Sequence, residues 1–261
     1  MNLRKAFPIL VGSALFLTAL MPMHISAQTT TSPSIKNIVL VHGAWADGSS
    51  WSKVIPILEA KGFHVVSVQN PLTSFADDVA ATKRIIDAQD GPVLLVGHSY
   101  GGAVITEAGN NSKVVGLVYV AAFAPDQGES AASMGKPYGP TPGVGELRPI
   151  EEGFLVLTEK GIFEDFAPDL SIAERRTLLV TQGPTQGAAL GSTISVAAWH
   201  NKPTWFVIAA NDRMISPQQE KDSAEKMKAR TLTLPTSHVP MLSRPKEVAD
   251  FIGDAASGSG R

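Results

Sequence analysis

From residue 37 onward, apolar and polar positions alternate between two periods. Short strand-like runs occur at Asn37–Val41, His64–Val68, Val93–Val96, Val114–Ala122, Pro203–Ala209 and Arg230–Leu234. Val93–Val96 is wholly apolar, as expected of a strand buried on both faces of a parallel sheet. Between the runs, apolar residues recur at helical spacing. Trp51, Val54, Ile55 and Leu58 mark one helix over Ser49–Lys61, ended by Lys61-Gly62. Phe75, Val79, Ile85 and Ile86 mark another, capped by Thr73 or Ser74 and reaching about Gln89. Further helices are predicted from Ala103, over Pro217–Lys228, and over Pro245–Ala256 with Val248, Phe251 and Ile252 inward. Such alternation predicts right-handed crossovers, and hence an α/β fold with a mostly parallel sheet of about six strands flanked by helices.

The rhythm breaks between about residues 127 and 198. Eight glycines and prolines between Gly128 and Gly145 leave little regular structure there. Short helices are predicted at Phe154–Phe166, Ile172–Val180 and Thr185–Ala198. Because the rhythm then resumes, this stretch reads as a lid insertion within one domain over 36–256, followed by a polar tail, 257–261.

The first residues follow another pattern. Arg4 and Lys5 precede Ala6–Met21, a run broken only by Pro8, Gly12, Ser13 and Thr18, and Ile25-Ser26-Ala27 ends in small residues. This predicts a signal peptide, 1–27, cut after Ala27, and a periplasmic or secreted protein. The run is shorter than the roughly 20 residues of a spanning helix. Thr- and Ser-rich residues 28–35 form a flexible lead-in. Losing Arg4 and Lys5 moves the formal charge from −2 to −4. With no Lys/Arg block, that balance argues against a nucleic-acid partner. The absence of cysteine excludes disulfides and thiolate metal sites.

Chemistry collects where the strands end. Gly97-His-Ser99-Tyr-Gly101 lies between a strand and a helix, a G-x-S-x-G turn that pushes the Ser99 hydroxyl clear of the backbone. A serine needs a base, and the base needs an orienting carboxylate. His238, after the last strand, is the best base. Asp212, after the preceding strand, is the best acid, with Asp126 its rival. The oxyanion of an acyl-transfer intermediate needs two N–H donors. Tyr100 supplies one; the other comes from the loop after the first strand, at Ala44 or Trp45, with Ala44 preferred. Trp45 is also a candidate substrate-binding residue. His42 reads as a structural support of that loop, and His98 as pointing into the scaffold. His64 and His200 carry no argument. The histidines are not spaced as i, i+4 pairs and no G-x-x-x-x-G-K loop occurs, so neither a metal nor another cofactor is expected.

Taken together, His42-Gly-Ala-Trp45, Gly97-His-Ser-Tyr-Gly-Gly102, Asn211-Asp-Arg-Met-Ile215 and Ser237-His238 resemble the α/β-hydrolase superfamily over about residues 36–253. The His-Gly-Ala-Trp opening followed by Trp51 is similar to its small esterase and hydroxynitrile-lyase-like branch. The resemblance implies an α/β-hydrolase fold with a lid; the first two family strands are expected to be missing or vestigial, since little mature chain precedes Ile38. Hydroxynitrile lyases of that branch carry lysine directly after the histidine, where this chain has Val239. Dehalogenases and epoxide hydrolases use an aspartate nucleophile in place of Ser99. The expected function is therefore a carboxylesterase-like serine hydrolase acting on a small to medium apolar ester. Phe154, Leu155, Leu157, Phe163, Phe166, Leu178 and Leu179 are candidate pocket walls, though most suit the lid core. A thioesterase, lactonase, amidase or cofactor-free perhydrolase would use the same three residues. A non-catalytic binding protein would keep only the fold.

Overall fold

A computed structural model describes residues 35–258, together with Met1 and Leu3. The expected signal segment (those two residues apart), the lead-in as far as residue 34 and residues 259–261 of the tail lie outside the described residues.

Strand β1 (Asn37–Val41) is buried along its whole length. A 3₁₀ turn at Gly48–Trp51 follows, and then helix α1 (Ile55–Ala60). The single helix expected over Ser49–Lys61 is thus two pieces. Pro56 lacks an N–H, and its ring would oppose the carbonyl four residues earlier, so it is accommodated only in a helix's first turn. Next come β2 (His64–Ser67) and α2 (Phe75–Asp87), where the Ser74 side chain accepts from the Asp77 N–H as N-cap. Strand β3 (Val93–Ser99) runs directly into α3 (Tyr100–Ala108), and β4 (Val114–Ala122) closes the first half.

The segment after β4 contains α4 (Ala131–Gly135), β5 (Leu147–Pro149) and β6 (Phe154–Leu157). A π-helical turn at Gly161–Phe166, α5 (Ile172–Thr181), β7 (Thr185–Gln186) and α6 (Gly187–Leu190) follow. Two predicted helices are corrected here. Phe154–Leu157 is the middle strand of a small antiparallel sheet, with Leu147 opposite Leu157 and Gln186 opposite Phe154. An apolar run of four carries no period that separates strand from helix, and the flanking strands offer it two ladders. Thr185–Ala198 holds only one helical turn, bounded by Gly187 and Gly191 and followed by Ser192-Thr193, all poor helix formers.

The rhythm resumes with β8 (Thr204–Ala209), α7 (Pro217–Lys226), β9 (Arg230–Leu234), α8 (Pro240–Ser243) and α9 (Pro245–Ser257). The main sheet has the order β2-β1-β3-β4-β8-β9, with every neighbouring pair parallel. The order reverses between β1 and β3. At such a switch point, in an open parallel sheet, the loops leaving neighbouring strand ends part and open a crevice. Ser99 ends β3 beside that point, and the His42–Trp45 loop leaves β1.

Candidate active site

Ser99 sits at φ 53°, ψ −124°, a strained conformation for a residue with a side chain. The strain comes from turning a strand into a helix without an intervening residue. It is tolerated because the neighbours are bare. A Cβ on Gly97 would lie 2.6 Å from the Gly101 carbonyl oxygen, and one on Gly102 would lie 2.2 Å from that of Phe123. The Ser99 carbonyl accepts from the Phe123 N–H at 3.1 Å, which fixes the turn to the end of β4.

The three residues expected to act together do meet. His238 Nε2 lies 2.8 Å from Ser99 Oγ, and His238 Nδ1 lies 2.6 Å from Asp212 Oδ2. Since the carboxylate can only accept, Nδ1 carries the proton, and Nε2 is left as an acceptor for the serine hydroxyl. The other Asp212 oxygen accepts from the N–H groups of Met214 (2.7 Å) and Ile215 (2.9 Å). Its own loop therefore holds the carboxylate in place. Phe166 covers the His238 ring edge-on at 5.2 Å between centroids. All three side chains are buried. The rival acid, Asp126, lies elsewhere: its Oδ1 is 2.8 Å from His200 Nε2 and its Oδ2 is 3.1 Å from Lys226 Nζ.

The loop after β1 presses against the serine, since a Cβ on Gly43 would lie 2.7 Å from Ser99 Cβ. Two clamps hold it. His42 donates from Nδ1 to the Gly43 carbonyl at 2.8 Å and accepts at Nε2 from the Asn70 N–H at 2.9 Å. Burial lowers its pKa, so the neutral ring that this pairing needs is the stable form. Trp45, at φ 55°, donates its N–H to Thr185 Oγ1 (3.1 Å) and its indole N–H to the Leu155 carbonyl (3.0 Å). The Trp45 amide is therefore spent. The Ala44 N–H has no acceptor among the described residues, and Ala44, Trp45 and Tyr100 all line the cavity over Ser99.

Several further groups support the site: His98, which the sequence reading points into the scaffold, and Asp169, Asp78 and Glu220, which it does not single out. His98 donates from Nε2 to the His238 carbonyl at 2.8 Å, and burial holds its pKa well below the ordinary histidine range. A neutral ring thus props the backbone of His238, with no second charge beside it. Asp169 accepts from the Ser237 N–H (2.9 Å) and hydroxyl, holding the same loop from the other side. Tyr100 donates its hydroxyl to Asp78 at 2.7 Å; burial pushes that carboxyl up to about 6. Glu220 is fully buried and accepts from the Ala209 N–H at 2.9 Å. Burial, reinforced by the charge of Asp212, drives its pKa well above the ordinary carboxylate range.

The cavity over Ser99 has a volume of about 480 Å³, enough for a small or medium ligand. None of the seven apolar residues expected to wall it from Phe154–Leu179 does so. Leu157, Ile162 and Phe166 are buried against the body of the protein instead. The walls come from Ala131–Leu147, Gly187, Leu190 and the Met214-Ile215 corner after Asp212.

Comparison with known proteins agrees with this architecture. The model of the alpha/beta hydrolase family matches residues 38–251. A pyrethroid hydrolase of Sphingobium wenxiniae is 25% identical over 265 aligned residues, covering 85% of this chain and 88% of its own. Methylesterase 1 of Arabidopsis thaliana is 22% identical over 255 residues, covering 83% and 94%. Among solved structures, a pyrethroid hydrolase from Sphingobium faniae superimposes with a TM-score of 0.73 at 23% identity, over 85% of this chain and 97% of that one, which speaks to the fold alone. The chain belongs to the alpha/beta hydrolase family.

Proposed function

We propose that this protein is a serine hydrolase that cleaves small to medium apolar carboxylic esters through an acyl-enzyme on Ser99. The supporting observation is the hydrogen-bonded line from Ser99 Oγ through His238 to Asp212, at 2.8 and 2.6 Å. Esterase names among the relatives, a pyrethroid hydrolase and a methylesterase, point to the same bond.

Attack begins when Ser99 Oγ adds to the ester carbonyl while its proton passes to His238 Nε2. Asp212 stabilises the imidazolium that forms. The carbonyl becomes an oxyanion, received by the N–H groups of Tyr100 and Ala44. Each such donor contributes about 2.7–4 kcal/mol to lowering the barrier. Collapse of the intermediate breaks the ester C–O bond, and the leaving alkoxide takes the proton back from Nε2. Water then repeats the sequence on the acyl-enzyme, giving its proton to His238 and releasing the acid and free Ser99. Tyr100 can serve because its hydroxyl is tied to Asp78, which anchors the first turn of α3 and aims its free N–H at the site. Trp45 shapes the substrate side of the cavity while bracing the lid at Leu155 and Thr185.

The test is Ser99→Ala assayed on p-nitrophenyl butyrate and with a fluorophosphonate probe. Turnover is expected to fall by about three or more orders of magnitude, with labelling lost and the thermal transition kept. Turnover within tenfold of the parent would remove Ser99 from the mechanism. The pattern of residues 1–27 further supports export with cleavage after Ala27, read directly by sequencing the N-terminus of the mature protein.

A further inference from the structure

Trp45, at φ 55°, and Leu72, at φ 58°, both hold a left-handed backbone, which is costly for a residue with a bulky side chain. Such conformations persist only where the surroundings over-determine them. For both residues those surroundings include lid strand β7. The Trp45 N–H donates to Thr185 Oγ1 at 3.1 Å, and the Leu72 carbonyl accepts from the Gln186 N–H at 2.9 Å. Leu155, opposite Thr185 in the small sheet, accepts the Trp45 indole N–H at 3.0 Å. Thr185 itself is fully buried.

Each of these strained residues is tied closely to one of the two proposed oxyanion donors. Ala44 directly precedes Trp45. The peptide before Ala44 is held by the His42 bond to the Gly43 carbonyl, and the peptide after it by the Trp45 bond to Thr185. Peptide units are planar, so the two bonds together fix the backbone on both sides of the Ala44 Cα and thereby the direction of its N–H. On the other side, Leu72 donates its N–H to Asp78 Oδ1 at 2.8 Å, and Asp78 Oδ2 accepts the Tyr100 hydroxyl at 2.7 Å. Two successive residues of β7 thus fasten both donor segments, and Thr185 does so with its side chain. We propose that Thr185 is a positioning residue for the reaction, through which the lid aligns the Ala44 N–H with the oxyanion. This deepens the esterase reading above and rests on it for the chemistry, but not for the fastening of the loop.

Two variants of the full chain separate positioning from packing. Thr185→Val keeps the shape and removes the acceptor; Thr185→Ser keeps the acceptor and removes a methyl. Losing an oxyanion donor outright costs about 10²–10³-fold in kcat, and a donor left in place but misaligned costs less. Thr185→Val is therefore expected to lower kcat for p-nitrophenyl butyrate about tenfold, with KM within about threefold of the parent. It should weaken inhibition by an alkyl trifluoromethyl ketone, whose adduct on Ser99 carries the oxyanion, by a similar factor. Thr185→Ser should stay within about threefold of the parent in both. Packing alone predicts the reverse order, because valine fills the site and serine leaves a void. Thr185→Ala set against Thr185→Ser makes the same comparison where valine is not accommodated. In protein carrying ¹⁵N-labelled tryptophan, the Trp45 amide should exchange with solvent faster in Thr185→Val than in the parent or Thr185→Ser. An unchanged kcat in Thr185→Val, or a greater loss in Thr185→Ser, would overturn the proposal and assign Thr185 to packing. Faster Trp45 exchange in Thr185→Val, with no ester turnover by the parent, would sustain the fastening of the loop and overturn the esterase reading instead.

Discussion

Asp212→Asn isolates the one hydrogen bond on which the proposed proton transfer depends. The exchange keeps size and shape but replaces one carboxylate oxygen with an NH₂. Orientation of the new amide is decided by its surroundings. The Met214 and Ile215 N–H groups, 2.7 and 2.9 Å from Oδ1, both need an acceptor. Turning the NH₂ toward them would leave two buried donors unpaired, at about 1–3 kcal/mol each. The amide oxygen therefore stays on the loop, and the NH₂ faces His238 Nδ1. There it can only donate, so Nδ1 must accept and the ring proton moves to Nε2. An Nε2–H facing the Ser99 hydroxyl cannot take its proton. In a trypsin-like protease the same exchange lowers kcat roughly 10⁴-fold, equal to about 5 kcal/mol. A loss of that order is expected here in kcat for p-nitrophenyl butyrate, with a thermal transition close to the parent's. Activity within tenfold of the parent, in a variant that still folds, would show that Asp212 does not set the tautomer. A large fall in stability would show that the amide had turned the other way, against the loop argument.

Two further variants probe the scaffold around the site. Glu220→Gln replaces a buried acid with a neutral residue of the same shape. Burial raises the Glu220 pKa in the folded state, so the native protein binds more protons than the unfolded chain above about pH 4.3, the ordinary glutamate value. Stability of the parent should therefore decline as pH rises from there toward the folded-state pKa, and the variant should lack that decline in urea unfolding between pH 5 and 8. Parallel pH profiles for the two proteins would refute the raised pKa of Glu220. Gly102→Ala adds a Cβ 2.2 Å from the Phe123 carbonyl oxygen and 2.8 Å from Ala122 Cβ, where only backbone could yield. A loss of about 1–3 kcal/mol is expected, or roughly 2–4 °C in Tm per kcal/mol for a chain of this size; an unchanged Tm would contradict the close packing of α3 on β4.

What the sequence disclosed and what it hid have separate physical causes. Strands β1, β3, β4 and β8 are buried on both faces, and continuous apolar runs announce that directly. Ser99, Asp212 and His238 stood out because each follows a strand, and parallel strands bring their ends to one rim. Asp78 and Glu220 did not stand out. An acid on an amphipathic helix reads as a solvated residue, and Asp77 and Asp78 are adjacent and chemically alike. Only the phase of α2 against α3 turns Asp78 toward Tyr100 and leaves Asp77 in water with Ser74. The cavity walls were hidden for a different reason. A lid of this size has little core of its own, so its large apolar side chains are consumed in seating it. Leu157, Ile162 and Phe166 go to the body of the protein, and Phe166 to the face of His238. The part of the lid that does line the cavity, within Ala131–Leu147, is rich in Gly and Pro and has no period to read.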